Sequence, residues 1–167
     1  MKKSLYISLF LLLLALPSAA QVKIAYFSNE TVLQSMSEYK LAMTELDRLR
    51  AQYDKETQRA DEEFNAKYEE FLDNYGTLAT SIRRKRQTEL QQTMEANVRF
   101  REESRRLLRQ AEEDAIAPLQ QKIDAVLSSY AAQNGFDVVL NTDSNACPYL
   151  NPAISVDITS SLSDILK

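Results

Sequence analysis

The chemistry open to this sequence is limited first by the residues it lacks. It contains no histidine and a single cysteine, Cys147. Without histidine, no side chain has an unperturbed pKa near neutrality, so common acid–base and metal chemistry is poorly supplied. No serine can be activated by an imidazole in the usual triad. No His/Cys group has the spacing of a metal site, and two glycines cannot build a phosphate-cradling loop. Carboxylate runs such as Asp61-Glu62-Glu63 read as solvated helix faces. The chain is therefore expected to have no catalytic, cofactor-binding or metal-binding residue and not to be an enzyme.

Binding chemistry remains. Phe64, Tyr68, Phe71 and Tyr75 follow one another at steps of four, three and four, which places four aromatic rings on one helical face. Such a stripe either packs a partner helix or offers apolar contacts to an unfolded chain. Arg83-Arg84-Lys85-Arg86 sets four cations side by side. They can meet anionic lipid headgroups, acidic protein segments or water. They are expected at a helix N-terminus, where positive charge is mildly unfavourable. Arg99, Arg101, Arg105, Arg106 and Arg109 interleave with Glu102, Glu103, Glu112 and Glu113 and read as surface pairs. The net charge of −4 argues against general nucleic-acid binding. Cys147 cannot staple its own chain and reads as a small half-buried apolar residue. Asn29-Glu30-Thr31 matches a glycosylation sequon too loosely specified to carry weight.

The elements that would position these residues follow from periodicity. Val22 to Phe27 is β-branched and aromatic and predicts a strand, with Val22, Ile24 and Tyr26 on one face. Ser28 and Asn29 suit the N-cap of a short helical turn. Ser35 with Glu38 forms a capping-box pattern for a long helix. Met36, Tyr39, Met43, Leu46, Arg50, Tyr53, Thr57, Ala60, Phe64, Lys67 and Phe71 then alternate steps of three and four, the period of a helix wrapped on a partner. Gly76 is the expected left-handed C′ residue, and Thr80 or Ser81 the next N-cap. A second helix runs from about Ile82 to about Gln133, with Leu90, Met94, Val98, Phe100, Leu107 and Leu108 as sparse apolar contacts. Asn134-Gly135 ends it.

An outbound helix of roughly 58 Å at 1.5 Å per residue brings the return helix level with its start near Pro118, where a kink is expected. Phe136 to Leu140 predicts a buried strand, Ala146 to Leu150 a weaker one limited by Pro148, and Asp157 the cap of a last helix through Ile158, Leu162, Ile165 and Leu166.

At the start, Lys2 and Lys3, the apolar run Leu5 to Leu16, Pro17 and Ser18-Ala19-Ala20 form the three-part pattern of an export signal cleaved after Ala20. The apolar run is shorter than the roughly 20 residues of a spanning helix. The expected architecture is α+β and mostly α. A signal covers residues 1–20, a β-rich body 21–36 and 119–167, and a long antiparallel helical hairpin 37–118 with its tip near 76–81. The body, about 60 residues in all, is too small for an ample core of its own, so self-association is expected.

Lys23 to Phe27, Pro118 to Ile123 leading into Gly135 to Leu140, and Val156-Asp157-Ile158-Thr159 resemble the Skp/OmpH family of periplasmic chaperones for outer-membrane proteins. The likeness spans nearly all of the chain after residue 20. It implies a homotrimer shaped like a jellyfish, in which a β-rich body joins three helical hairpins around a cavity. It further implies that unfolded outer-membrane β-barrel proteins are held there without ATP, in the periplasm. One departure is charge: the best-known member is strongly basic and this chain is acidic, so no lipopolysaccharide site is carried over. Two other readings fit the residues alone. One is a secreted coiled-coil scaffold that binds folded partners. The other is attachment to an anionic membrane surface through Arg83–Arg86.

Overall fold

The computed structural model describes residues 22–167; the export signal expected over residues 1–20 lies outside the described residues. Strand β1 is Ile24–Phe27. Helix α1, Asn29–Ser35, follows at once. Helix α2 covers Ser37–Asn74 and helix α3 covers Thr80–Asn134. Strand β2 is Val138–Asn141, a 3-10 turn spans Asp143–Asn145, strand β3 is Ser155–Asp157, and helix α4 is Thr159–Leu166. The described residues are mostly helical, with one small sheet.

That sheet has the order β2-β1-β3, and both neighbours run parallel to β1. Parallel neighbours cannot be joined by a tight turn. The two long helices therefore lie between β1 and β2, and residues 142–154 carry the chain across to β3. The buried side chains of β1 are Ala25 and Phe27, not Ile24 and Tyr26. They meet Val32 and Met36 from the α1 region, Leu119 and Ile123 from α3, and Ile158 and Leu162 around the start of α4. One sheet face is thus covered. The other presents Ile24, Tyr26 and Leu140, all half-buried, and the exposed Val138.

Several local signals resolve differently from their sequence reading. Ser35 does not cap α2; its hydroxyl donates to the Val32 carbonyl at 2.6 Å, and Met36 takes the cap position without a side-chain bond. Gly76 is not left-handed, since Gly135 is the only glycine with positive φ. The turn is instead gathered on the Asn74 carbonyl, which accepts from the amides of Thr77 and Leu78 and from the Thr77 hydroxyl. Ala79, not Thr80 or Ser81, is the N-cap of α3. The expected strand at Ala146–Leu150 is absent. Asn151 organises a turn there through its side chain and carbonyl, and the third strand is Ser155–Asp157. The Phe136–Leu140 segment is an edge strand with Val138 41% exposed, so it is covered on one face only.

Other signals hold, wholly or in part. Ser28 caps α1 by accepting from the Thr31 amide at 3.1 Å. At α4 the N-cap is Ile158 rather than the expected Asp157, whose carboxylate, one residue earlier, still accepts from the Thr159 amide at 2.9 Å. Gly135 adopts φ 64 and ψ 37, and the amide of Phe136 reaches back to the Ala131 carbonyl at 3.0 Å. This is the Schellman closure, and Tyr130 stacks on Phe136 beside it at 6.5 Å. Lys23 fastens the same corner to β1: its ammonium donates to the Asn134 carbonyl at 2.7 Å, where the helix end is negative.

Two carboxylates tie elements of this body together. Asp143 accepts from the Glu30 amide at 2.8 Å. Burial pulls its pKa up, but hydrogen bonds from Ser28, the Glu30 amide, Asn141 and the Asn29 amide outweigh that and lower it. Glu38 accepts from the Lys122 ammonium at 2.8 Å, and that bond holds its carboxyl below its ordinary value.

Ile123 is fully buried, so Ile123→Ala should cost about 2–5 kcal/mol in chemical denaturation, while Leu41→Ala at an exposed site should stay within about 0.5 kcal/mol. Both lowered carboxylates contribute stability above the ordinary carboxylate range and lose it as pH falls through their folded values. Asp143→Asn and Glu38→Gln should each shift the urea midpoint down at about pH 6, and the difference from the parent should shrink as pH falls below the ordinary carboxylate range.

Candidate functional site

Helices α2 and α3 pack against each other in opposite directions. Four contacts give the register: Glu38 with Lys122, Tyr53 with Phe100, Ala60 with Asn97, and Asp61 with Arg101. From Glu38–Lys122 through Tyr53–Phe100 to Ala60–Asn97, positions rise on α2 as they fall on α3, and Arg101, one turn from Asn97 on α3, reaches Asp61 beside Ala60. The Glu38–Lys122 contact puts the start of α2 level with residue 122, a turn beyond the sequence estimate at Pro118. Pro118 lies inside α3, which continues through it, although proline cannot donate to the Asp114 carbonyl.

The seam between the helices is less apolar than its spacing suggested. At the Arg50 step of α2 the half-buried residue is Leu49 instead, and Arg50 is exposed; Lys67 is also exposed. On α3 the residues turned toward α2 are Leu90, Thr93, Asn97, Arg101, Ser104, Leu108 and Ala111. Four of the apolar contacts expected there, Met94, Val98, Phe100 and Leu107, are 49%, 45%, 37% and 36% exposed. Polar side chains fill the seam by bonding within it. The Asn97 carboxamide donates to the Ala60 carbonyl at 3.0 Å, Arg101 bonds Asp61, and the buried Ser104 hydroxyl donates to the Phe100 carbonyl at 2.7 Å.

The four aromatic candidates divide. Phe71 is buried and Phe64 half-buried, while Tyr68 and Tyr75 are 45% and 44% exposed. Phe64 stacks on Tyr68 at 6.1 Å, and Phe71 meets Tyr75 edge-on at 5.5 Å. The stripe therefore anchors with one edge and presents the other. Leu72, 51% exposed, extends the presented edge. At about 100° per residue, Tyr68 and Leu72 on α2 and Met94 and Val98 on α3 fall on the flank that carries Asp61–Arg101. Tyr53–Phe100 marks the opposite flank. Sequence reading missed Leu72 and misplaced Met94 and Val98. Their signal was an apolar side chain one step off the seam register, flanked by charges.

The basic run lies at the start of α3, and it is not four free charges. Arg86 and Lys85 both pair with Glu89, at 2.8 and 3.8 Å. Arg83 lies over the Tyr75 ring at 5.0 Å and donates to Thr80. Among the described residues only Arg84 of the four has neither partner type. Cys147 is half-buried with its thiol 3.6 Å from the Tyr149 carbonyl. The described residues contain no group of three or more potential metal ligands, and none of their helices is long and apolar enough to cross a membrane.

The architecture is a small parallel sheet whose β1–β2 connection is a pair of long antiparallel helices. The chain matches the family described as outer membrane protein (OmpH-like) over residues 23–166, and it belongs to that family. Comparison with curated protein sequences gives no match. Among solved structures, it is similar to a protein from Caulobacter crescentus CB15 proposed to be an OmpH-like outer membrane chaperone. The TM-score is 0.72 at 18% identity, over 89% of this chain and 86% of that one. At that identity the likeness is one of fold.

Because Phe71 is enclosed and Tyr68 is not, Phe71→Ala should lower the thermal midpoint of the helical signal by several degrees, with a cost of about 3 kcal/mol. Tyr68→Ala should leave it nearly unchanged. Circular dichroism melting distinguishes the two.

Proposed function

We propose that this protein is an ATP-independent holdase of the periplasm that keeps unfolded outer-membrane β-barrel proteins from aggregating. The observation that carries the reading is the flank formed by Tyr68, Leu72, Met94 and Val98. These side chains are large, apolar and exposed, and each is set among charged neighbours. A folded partner would call for one contiguous patch. Scattered apolar residues on a charged rod suit many weak contacts with a chain that has no fixed shape. Membership of the OmpH-like family supports the same direction.

In this reading the helical pair is an arm and the sheet end is a body. The arms of three copies surround a space, and the body joins them. The uncovered apolar face of the sheet supports the joining. Val22 is 53% exposed and Val138 41%, beside the half-buried Ile24, Tyr26 and Leu140. Apolar surface of that kind on so small a body favours burial against another copy. The two sheet edges, β2 and β3, lack a further strand within the described residues and would be covered by the same association. The arm seam, held by polar bonds and few buried side chains, would let each arm adjust to the bulk of its client. The charge pairs along both helices keep the outside in water.

Replacing Tyr68, Leu72, Met94 and Val98 together by alanine should weaken suppression of barrel-protein aggregation several-fold. Helicity and oligomer mass should remain as in the parent, since all four side chains are exposed. Light scattering after dilution of a denatured barrel protein reads the effect. Undiminished suppression would remove this flank from the mechanism.

A further inference from the structure

The cross-helix bonds of the α2–α3 pair are unevenly distributed. Near the body, Lys122 bonds Glu38. At mid-length, Asn97 bonds the Ala60 carbonyl and Arg101 bonds Asp61. Beyond residues 60 and 97, toward the turn, the described residues show no hydrogen bond or ion pair between the two helices. The hydrogen bonds and ion pairs there stay within one helix, such as Arg86 to Glu89, Gln91 to Glu95 and Asn74 to the Glu70 carbonyl, and the charged contact that spans the turn is the Arg83 guanidinium over the Tyr75 ring. The same section holds a cleft of about 860 Å³ between the helices, lined by Phe71, Leu78, Ile82 and Leu90 with Lys67 and Arg86 at its border. Phe71 is the one buried hydrophobic residue of that section.

We infer that Asn97 and Arg101 form a clamp that divides the helical pair into a closed lower section and a turn-proximal section that opens on its own. The physical reason is a difference in what each section loses on separation. Parting the helices at the clamp strands a carboxamide and breaks a charged hydrogen bond, both half-buried, and each such loss resists opening. Parting them beyond it costs mainly the contacts of Phe71 and its few apolar neighbours, around a space already not filled. Local opening follows the section with fewest buried contacts. A seam asparagine also fixes which turn faces which, because any slip along the helix leaves its amide without the Ala60 carbonyl. The clamp thus stops the opening from travelling to the body. This inference concerns the chain's own mechanics and does not depend on what the arm binds.

Paired spin labels test it directly. In the otherwise complete secreted chain, with Cys147→Ser, one pair is Glu69→Cys with Gln91→Cys above the clamp. The other is Arg48→Cys with Glu112→Cys below it. All four sites are exposed, and excess unlabelled chain suppresses distances between copies. Pulsed electron-electron resonance should give a distance distribution about twice as wide above the clamp as below it. Adding Asn97→Ala and Arg101→Ala should widen the lower distribution toward the upper one. Equal widths in the chain with its clamp intact would overturn the proposal, and this comparison needs no clamp variant to fold. A lower distribution that stays narrow in a folded clamp variant would overturn it as well.

Discussion

One small apolar junction has to hold two rods far longer than itself. Leu119 and Ile123 on α3 meet Val32, Met36, Ile158 and Leu162 under the sheet, and the buried face of β1 closes the cluster. Nearly everything that fixes the helices to the sheet passes through these side chains and the bonds around them. Asn29 and Gln120 exchange carboxamide bonds at the edge of the cluster, Lys122 reaches Glu38, and Lys23 grips the end of α3. A core of this extent leaves little surplus stability for so many ordered residues. That shortage, with the apolar uncovered face of the sheet, is what supports the proposed association.

Away from the junction the same economy of apolar contact has a different effect. The pair of helices does not bury a continuous hydrophobic stripe. Leu46 and Phe71 are the buried residues of α2, and between them the seam relies on Tyr53, Ala60 and Phe64 against Asn97, Arg101 and Ser104. Large apolar side chains that would tighten it, Met94 and Val98 above all, sit outside it. A tighter seam would bury these side chains between the helices. The arrangement found here leaves large apolar side chains exposed at the cost of internal packing, and the clamp at Asn97 and Arg101 keeps register where packing alone would not.

Much of this was legible in the sequence, and the failures are physical. The long helices followed from the scarcity of glycine and proline and from a seam period of three and four. Gly135 read correctly because a glycine directly after a periodic run had a left-handed role to fill. Gly76 misled for the opposite reason: the Asn74 carbonyl gathered the turn, and no positive φ was needed. β3 was missed because three residues, Ser155, Val156 and Asp157, give no alternation to count, and because Asp157 also bonds the first amide of α4 and so read as a cap. The seam of α3 was misread because apolar identity was taken as burial. With polar residues able to bond across the interface, as Asn97 and Arg101 do, the apolar ones were free to face water.

The central claim is that the sheet end joins copies so that the arms enclose a shared space. Native mass measurement of the chain from residue 21 onward, alone and with an unfolded barrel protein, tests it most directly. The account predicts a mass of three subunits, holding a single client chain, and a loss of that assembly in Val138→Glu, which places a charge on the uncovered sheet face. A stable single subunit at working concentration, or client binding by a lone subunit as tight as by the parent, would contradict it.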